Sequence, residues 1–95
     1  MFVVQLKFSV NKARAGELMQ GHNDWINAGF AAGVFLVVGK LQPNMGGAIV
    51  ADGCSLSELQ RRIAQDPFVE NEVVSVEILE ISPVKTEQRL AFLLD

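Results

Sequence analysis

The sequence predicts an α+β fold in which two helices cover one face of a four-stranded antiparallel sheet. Two segments, one near each end of the chain, alternate apolar and polar residues as half-buried strands do. Two other segments repeat their apolar residues with the helical period, and each follows a predicted strand. The length of 95 residues suits one domain.

The first half of the chain contains a strand, a helix and a second strand. Residues 2–10 alternate, which predicts a strand with one buried face. Asn11 is a candidate N-cap for a helix that runs to about residue 31. Residues 34–41 are almost continuously apolar, so we expect a central strand that is buried on both faces.

The second half begins with a hairpin and a capped helix. The composition of residues 42–47 indicates a turn. The strand at residues 48–52 should therefore pair with the strand at residues 34–41 as a β-hairpin. Ser55 followed by Glu58 forms a capping box at the start of the second helix.

The second helix should end near Asp66, because Pro67 disfavours helical geometry in the residue before it. Residues 72–81 alternate again and form the last strand, which Pro83 ends. The resulting order, β-α-β-β-α-β, is that of the ferredoxin-like sandwich.

The predicted sheet leaves one face without helices. That face carries Val3, Gln5 and Lys7, a mixed surface that the sheet of a second copy could cover. Hydrophobic residues make up 49% of the chain, more than a domain of this size usually hides, so we expect a homodimer. We divide the chain into a domain at residues 1–83 and an apolar tail at residues 84–95, which docks on the partner subunit or closes a pocket.

Composition excludes several classes of function. The net charge is −3 and the basic residues are scattered, so we expect no nucleic-acid partner. No signal sequence or spanning segment is present, which argues against a membrane location. One cysteine and one histidine form neither a disulfide nor a structural zinc site, so we expect a cytoplasmic protein with no metal and no cofactor.

The single histidine, His22, lies within an apolar stripe of the first helix. The stripe consists of Leu18, Met19, His22, Trp25, Ile26, Gly29 and Phe30. Imidazole titrates near neutral pH, so a histidine on a core-facing stripe is a candidate proton-transfer group. The alternative is a packing residue that is hydrogen-bonded to a backbone carbonyl.

A catalytic histidine needs a partner that sets its tautomer, and Asp66 is the best candidate. Asp24 lies about 200° around the helix from His22 and points away from it. Asp66 is held in an extended conformation by Pro67, at a point where the ends of adjacent helices come close. The alternative is that Asp66 and Pro67 only terminate the helix.

Cys54 lies in a glycine turn just ahead of the second helix. A thiolate there could gain from the helix dipole, but a small residue that fills a turn is the simpler interpretation.

These motifs together resemble the YCII-related family of small dimeric α+β barrel proteins, over residues 1 to about 83. The motifs are His22-x-x-Trp25, Gly33, Val38-Gly39, Gly46-Gly47, Ser55-x-Ser57-Glu58 and Asp66-Pro67-Phe68-Val69. The resemblance implies a homodimer with face-to-face sheets and a site built on His22 and Asp66. It also implies a link to enzymes that rearrange or dehalogenate ring-cleavage and chlorinated hydroquinone intermediates, in a superfamily with muconolactone isomerases and cofactor-free monooxygenases.

The chain departs from the family pattern in two places. Many relatives carry an arginine shortly before the histidine, where this chain has residues 18–21, Leu-Met-Gln-Gly. Relatives often have Ala-Gly-Pro where this chain has Val38-Gly39-Lys40. Lys40 could replace the missing cation if its side chain faces the pocket, and we name Trp25, Phe68 and Lys40 as candidate substrate-binding residues.

The leading hypothesis is a homodimeric isomerase or lyase that transfers a proton or eliminates chloride from a small cyclic metabolite. His22 would act as the general acid-base and Asp66 would orient it. The alternative is a non-catalytic ligand-binding or interaction module in which the same pair is a structural hydrogen bond. A cofactor-free oxygenase is a third possibility, for which the residues offer no separate sign.

Overall fold

Four strands form one antiparallel sheet in the computed structural model, which describes residues 1–94. They are β1 (Phe2–Phe8), β2 (Phe35–Leu41), β3 (Gly46–Ala51) and β4 (Val74–Glu80), in the spatial order β2-β3-β1-β4. The helices are α1 (Ala15–Ala31), α2 (Leu56–Ala64) and the short α3 (Pro67–Glu70). This order and pairing confirm the predicted ferredoxin-like α+β fold.

The core lies between the helices and one face of the sheet. The alternation predicted for the first strand is confirmed, since Phe2, Val4 and Leu6 are all buried. These side chains belong to one hydrophobic cluster with Trp25 of α1 and Leu59 of α2. The apolar stripe of each helix is therefore buried against the alternate residues of the strands.

The first helix begins later than predicted. A 3₁₀ turn, Lys12–Arg14, precedes α1, and the side chain of Asn11 caps neither element. Asn11 Nδ2 instead donates a hydrogen bond of 2.9 Å to the carbonyl of Asn71, in the loop before β4. The N-cap assignment was wrong, because α1 begins at Ala15 and the Asn11 side chain makes this long-range bond and no capping bond.

The second strand is an edge strand, so its predicted central position with two buried faces was wrong. Val37 is 58% exposed, and β2 pairs only with β3. The pairing contains an irregularity between Phe35 and Val37, where an extra residue shifts the register. Because of this bulge, Phe35 and Val38 both lie on the helix-facing side, as their pairing with Ala51 and Ile49 requires.

The second helix has the predicted start. The Ser55 hydroxyl accepts a hydrogen bond from the Glu58 amide, and the Glu58 carboxylate accepts one from the Ser55 amide, which completes the capping box. The bonds from Ser55 lower the pKa of the Glu58 carboxyl. Helix α2 ends at Ala64, close to the predicted limit at Asp66.

The tail lies over one end of the open face of the chain's own sheet, beside Met1 and Ile81. Its 3₁₀ helix, Gln88–Leu94, buries Leu93, and a cavity of about 880 Å³ remains between the tail and the sheet residues Val37 and Val50. Docking of this tail on a partner subunit stays a prediction, and its last residue, Asp95, lies outside the described residues. Within residues 1–94, no helix has the length and hydrophobicity needed to cross a membrane.

Close packing of α1 on β2 depends on a glycine. A Cβ atom at Gly29 would lie 2.1 Å from the ring of Phe35, whereas a Cβ at the exposed Gly16 would meet nothing within 4 Å. We expect Gly29→Ala to lower the free energy of unfolding by about 1–3 kcal/mol, because the core is overpacked. The matched change Gly16→Ala should raise it by up to about 1 kcal/mol through helix propensity. Urea unfolding of both variants measures the difference, and equal effects would contradict this packing.

Candidate functional site

The imidazole of His22 is hydrogen-bonded to Asp66. His22 Nδ1 donates to Asp66 Oδ1 over 2.8 Å, and the His22 side chain is 13% exposed. Helix α1 supplies the histidine, while Asp66 lies between α2 and α3. The pair proposed from the sequence is therefore in direct contact, 44 residues apart in the chain.

Local sequence explains why the Asp66 side chain turns toward α1. Asp66 has extended backbone angles, φ −66° and ψ 123°, and Pro67 occupies the first position of α3. As the N-cap of α3, Asp66 Oδ1 also accepts a hydrogen bond of 3.0 Å from the amide of Phe68. Both interpretations of Asp66, helix boundary and histidine partner, hold at once.

The Asp66 carboxyl is fully buried. Its relative exposure is 0%, and Oδ2 has no hydrogen-bond partner among residues 1–94. A buried carboxylate without solvent is costly unless a donor or a positive charge faces it. The two donors on Oδ1 therefore hold in place a group that would otherwise favour water.

The ring of Phe68 stacks on the imidazole. The two ring centroids are 3.9 Å apart and the ring planes differ by 4°. With Asp66 holding Nδ1 and Phe68 covering one face, two independent contacts fix the plane of the His22 ring. Phe68 was predicted as a substrate-binding residue, and it lines the cavity described next.

A cavity of about 350 Å³ lies between α1 and the sheet, and His22 lines it. Most of its walls are apolar: Leu6, Phe8, Met19, Ile26, Val38, Phe68 and Val74. The polar side chains that line it are His22, Asn23 and Lys40. An apolar pocket with a few polar groups is the usual form of a small-molecule site.

Lys40 borders this cavity because of the bulge in β2. It pairs with Gly47, which in turn pairs with the buried Leu6 on β1, so Lys40 lies on the helix-facing side of the sheet. Lys40 is an exposed residue at the edge of the cavity. An ammonium group is thus available beside an otherwise apolar pocket.

Trp25, the third residue predicted to bind substrate, lies beside His22, with the two ring centroids 5.9 Å apart, but outside the cavity. It is buried in the core, and its indole Nε1 donates a 2.8 Å hydrogen bond to the carbonyl of Arg62 on α2. The tryptophan is absent from the lining of the cavity and joins α1 to α2 instead.

The arrangement suits proton transfer. Because Nδ1 donates to Asp66, the neutral ring carries its proton on Nδ1 and has a lone pair on Nε2. Nε2 makes no hydrogen bond within the described part of the chain. A group that can accept a proton thus borders an apolar cavity, and a buried carboxylate can stabilise the charge that it acquires.

Sequence reasoning missed three residues near the site. Asn23 and Gly47 line the cavity, and Gly21 lets α1 approach α3, since a Cβ there would lie 3.1 Å from the Pro67 ring. The available signal was the position of Asn23 beside the histidine, whereas the composition of residues 42–47 placed Gly47 in a turn and the structure places it in β3.

The surroundings of Cys54 disfavour its thiolate form. Burial raises the pKa of its thiol, and the nearby Glu58 carboxylate acts in the same direction. A filler of the turn remains the better description. Across residues 1–94, no cluster of three or more His, Cys, Asp or Glu side chains could hold a metal ion.

Removing the Asp66 carboxyl should destabilise the fold. Asp66→Ala leaves the Phe68 amide and His22 Nδ1 without an acceptor, and we expect a loss of about 1–3 kcal/mol for each buried donor left unpaired. Asp66→Asn keeps an acceptor oxygen and should cost less. Asp24→Asn, at an exposed carboxylate on α1, should change stability by less than about 0.5 kcal/mol. Chemical denaturation tests the series, and an Asp66→Ala variant as stable as Asp24→Asn would contradict it.

Comparison with known proteins assigns the family. The profile of the YCII-related domain matches residues 1–84, which include both residues of the pair and the whole sheet. A search of curated proteins finds no significant match. The match confirms the family resemblance drawn from the sequence motifs, and the chain belongs to the YCII-related domain family.

Proposed function

We propose that this protein is a homodimeric, cytoplasmic acid-base enzyme of the isomerase or lyase type, acting on a small cyclic metabolite. One observation carries the proposal: His22 Nδ1 is bound to a buried carboxylate while the ring borders an apolar cavity. A histidine that served only packing would need neither the cavity nor a free Nε2.

The chemistry is removal of a proton from carbon. His22 Nε2 takes a proton from the carbon next to a carbonyl, and the electron pair of the C–H bond moves into the adjacent bond to give an enolate. Return of the proton from Nε2 to another carbon completes an isomerisation. If a chlorine substituent is suitably placed, the electron pair instead expels chloride and the proton leaves as HCl.

Each neighbouring residue has a role in this reaction. Asp66 stabilises the imidazolium that forms, over the 2.8 Å hydrogen bond to Nδ1. Lys40 supplies positive charge for a developing enolate oxygen or for an acidic group of the substrate. A ligand seated against the apolar walls would displace water, which would strengthen both electrostatic effects.

The hydrogen bond from the Phe68 amide to Asp66 favours a second function, that of a non-catalytic binding module. Because Oδ1 also caps α3, the contact with His22 joins α1 to α3 and would be useful without any chemistry. In that case the protein would bind a small molecule or a partner, and the pair would be structural. His22→Ala would then lower the melting temperature, because Asp66 would lose a donor.

A proton-exchange assay separates the two functions. We expect the wild-type protein to catalyse incorporation of deuterium from D₂O into the carbon next to the carbonyl of an unsaturated five-membered lactone, followed by NMR. His22→Gln should lower the exchange rate by about 10²–10⁴-fold, since general acid-base catalysis is lost. Asp66→Asn should lower it less, and Asp24→Asn should retain the wild-type rate.

Exchange by His22→Gln at the wild-type rate would refute the catalytic role. A wild-type protein that binds the lactones without exchange, and a His22→Gln variant that only melts earlier, would instead support the binding module.

The proposed dimer uses the part of the open sheet face that the tail leaves exposed. Cross-strand pairing aligns an apolar row on this face, Val37, Val50, Val3 and Leu79, across all four strands. Val37 and Leu79, at the two edges, are 58% and 43% exposed. Such a surface on a small domain favours burial against a second copy.

A charge placed on this row should separate the subunits. We expect wild-type protein to sediment as a dimer and Leu79→Lys to sediment as a monomer in analytical ultracentrifugation, because a lysine would be buried unpaired. Val10→Lys is the matched control, since Val10 is 81% exposed in the loop after β1 and lies off the row. A wild-type monomer, or a dimeric Leu79→Lys variant, would contradict the proposed interface.

A further inference from the structure

The floor of the His22 cavity contains Gly47, the second residue of β3. Gly47 of β3 lies between Leu6 of β1 and Lys40 of β2, on the side of the sheet that faces the helices. His22 on α1 and Gly47 on β3 line the same cavity from opposite walls. The bare backbone of Gly47 thus lies across the cavity from the imidazole.

The backbone conformation does not require this glycine. Gly47 is not among the glycines with positive φ, and an added Cβ would be 3.4 Å from its nearest neighbour, the carbonyl oxygen of Gly39, an ordinary contact. The adjacent Gly46 is different, because its φ is 131° and a Cβ would lie 2.0 Å from the Leu6 carbonyl oxygen. Fold geometry therefore explains Gly46 and leaves Gly47 unexplained.

A glycine inside a strand weakens the strand, and it often marks a place where a ligand comes close to the backbone. The half-buried backbone of Gly47 lines the cavity together with the apolar Leu6 and Val38. A side chain at this position would occupy the space between the sheet and His22. A planar ring that rests on the peptide plane would need this space.

We propose that Gly47 is a specificity-determining residue: its missing side chain admits a planar ring between the sheet and His22 and sets the largest ligand that the cavity accepts. This proposal rests on the proposed function only in placing the ligand in the His22 cavity. It concerns binding, so it can be tested without turnover.

Binding of three planar carboxylates of increasing size, furoate, benzoate and naphthoate, tests the proposal. Each probe carries a carboxylate that can pair with the Lys40 ammonium group. Changes in amide chemical shifts during NMR titrations give the Kd. We compare the wild type with Gly47→Ala and Gly47→Val. Ala48→Val is the matched control, because it places the same valine side chain at the next residue of β3, which points to the opposite face of the sheet and lies outside the apolar row of the proposed interface.

We expect the wild type to bind at least one probe, with shifts at His22 and Gly47. Gly47→Val should weaken the tightest probe by about tenfold or more. Gly47→Ala should weaken the largest bound probe most, and Ala48→Val should bind as the wild type does. The melting temperature of Gly47→Ala should equal or exceed that of the wild type, because alanine suits a strand at least as well as glycine.

Three outcomes would overturn the proposal: no probe binds to the wild type, Gly47→Val binds as tightly as the wild type, or Ala48→Val weakens binding equally. None of these depends on proton exchange. If Gly47→Val loses binding while His22→Gln exchanges deuterium normally, the specificity proposal stands and the proposed catalysis fails. If Gly47→Val binds normally while His22→Gln loses deuterium exchange, the proposed catalysis stands and the specificity proposal fails.

Discussion

The hydrogen bond from His22 Nδ1 to Asp66 Oδ1 organises this protein beyond the two residues that make it. It crosses from α1 to the start of α3, and the same oxygen caps α3 through the Phe68 amide. The cap places Phe68, and Phe68 in turn covers the face of the imidazole. Capping, helix packing and orientation of the ring thus depend on one buried oxygen atom. The other oxygen of that carboxyl has no partner in residues 1–94, so both donors that face the buried carboxyl act on a single atom.

Much of the fold could be predicted from local patterns. Alternation located β1, and the capping box located the start of α2, because each signal arises from residues a few positions apart. The start of α1 was misplaced because Asn11 bonds to Asn71, a contact that no local window contains. The position of β2 was mispredicted for a similar reason. A nearly continuous apolar sequence is expected of a central strand, but also of an edge strand whose outer face borders the apolar tail.

The candidate site divides in the same way. Asp66 could be found because Pro67 restricts its backbone, and Asp24 could be excluded by helical geometry alone. Trp25 shares the helix stripe with His22 yet bonds to Arg62, since a stripe is wide enough to contact both α2 and the cavity. The alternation of side chains along β2 did not settle which way Lys40 points, because a bulge reverses the alternation and leaves no clear mark in the sequence.

That bulge has a consequence for how the two faces of the sheet are assigned. At the start of β2, Phe35 faces the core. Without the extra residue of the bulge, strict alternation would place Gly39 on the core-facing side and turn Lys40 to the open face. The chain would then carry its ammonium group into the proposed subunit interface and leave the cavity without a cation. The single extra residue in β2 therefore decides whether the cavity or the open sheet face carries the charge of Lys40. The same backbone irregularity affects both the proposed ligand recognition and the proposed assembly.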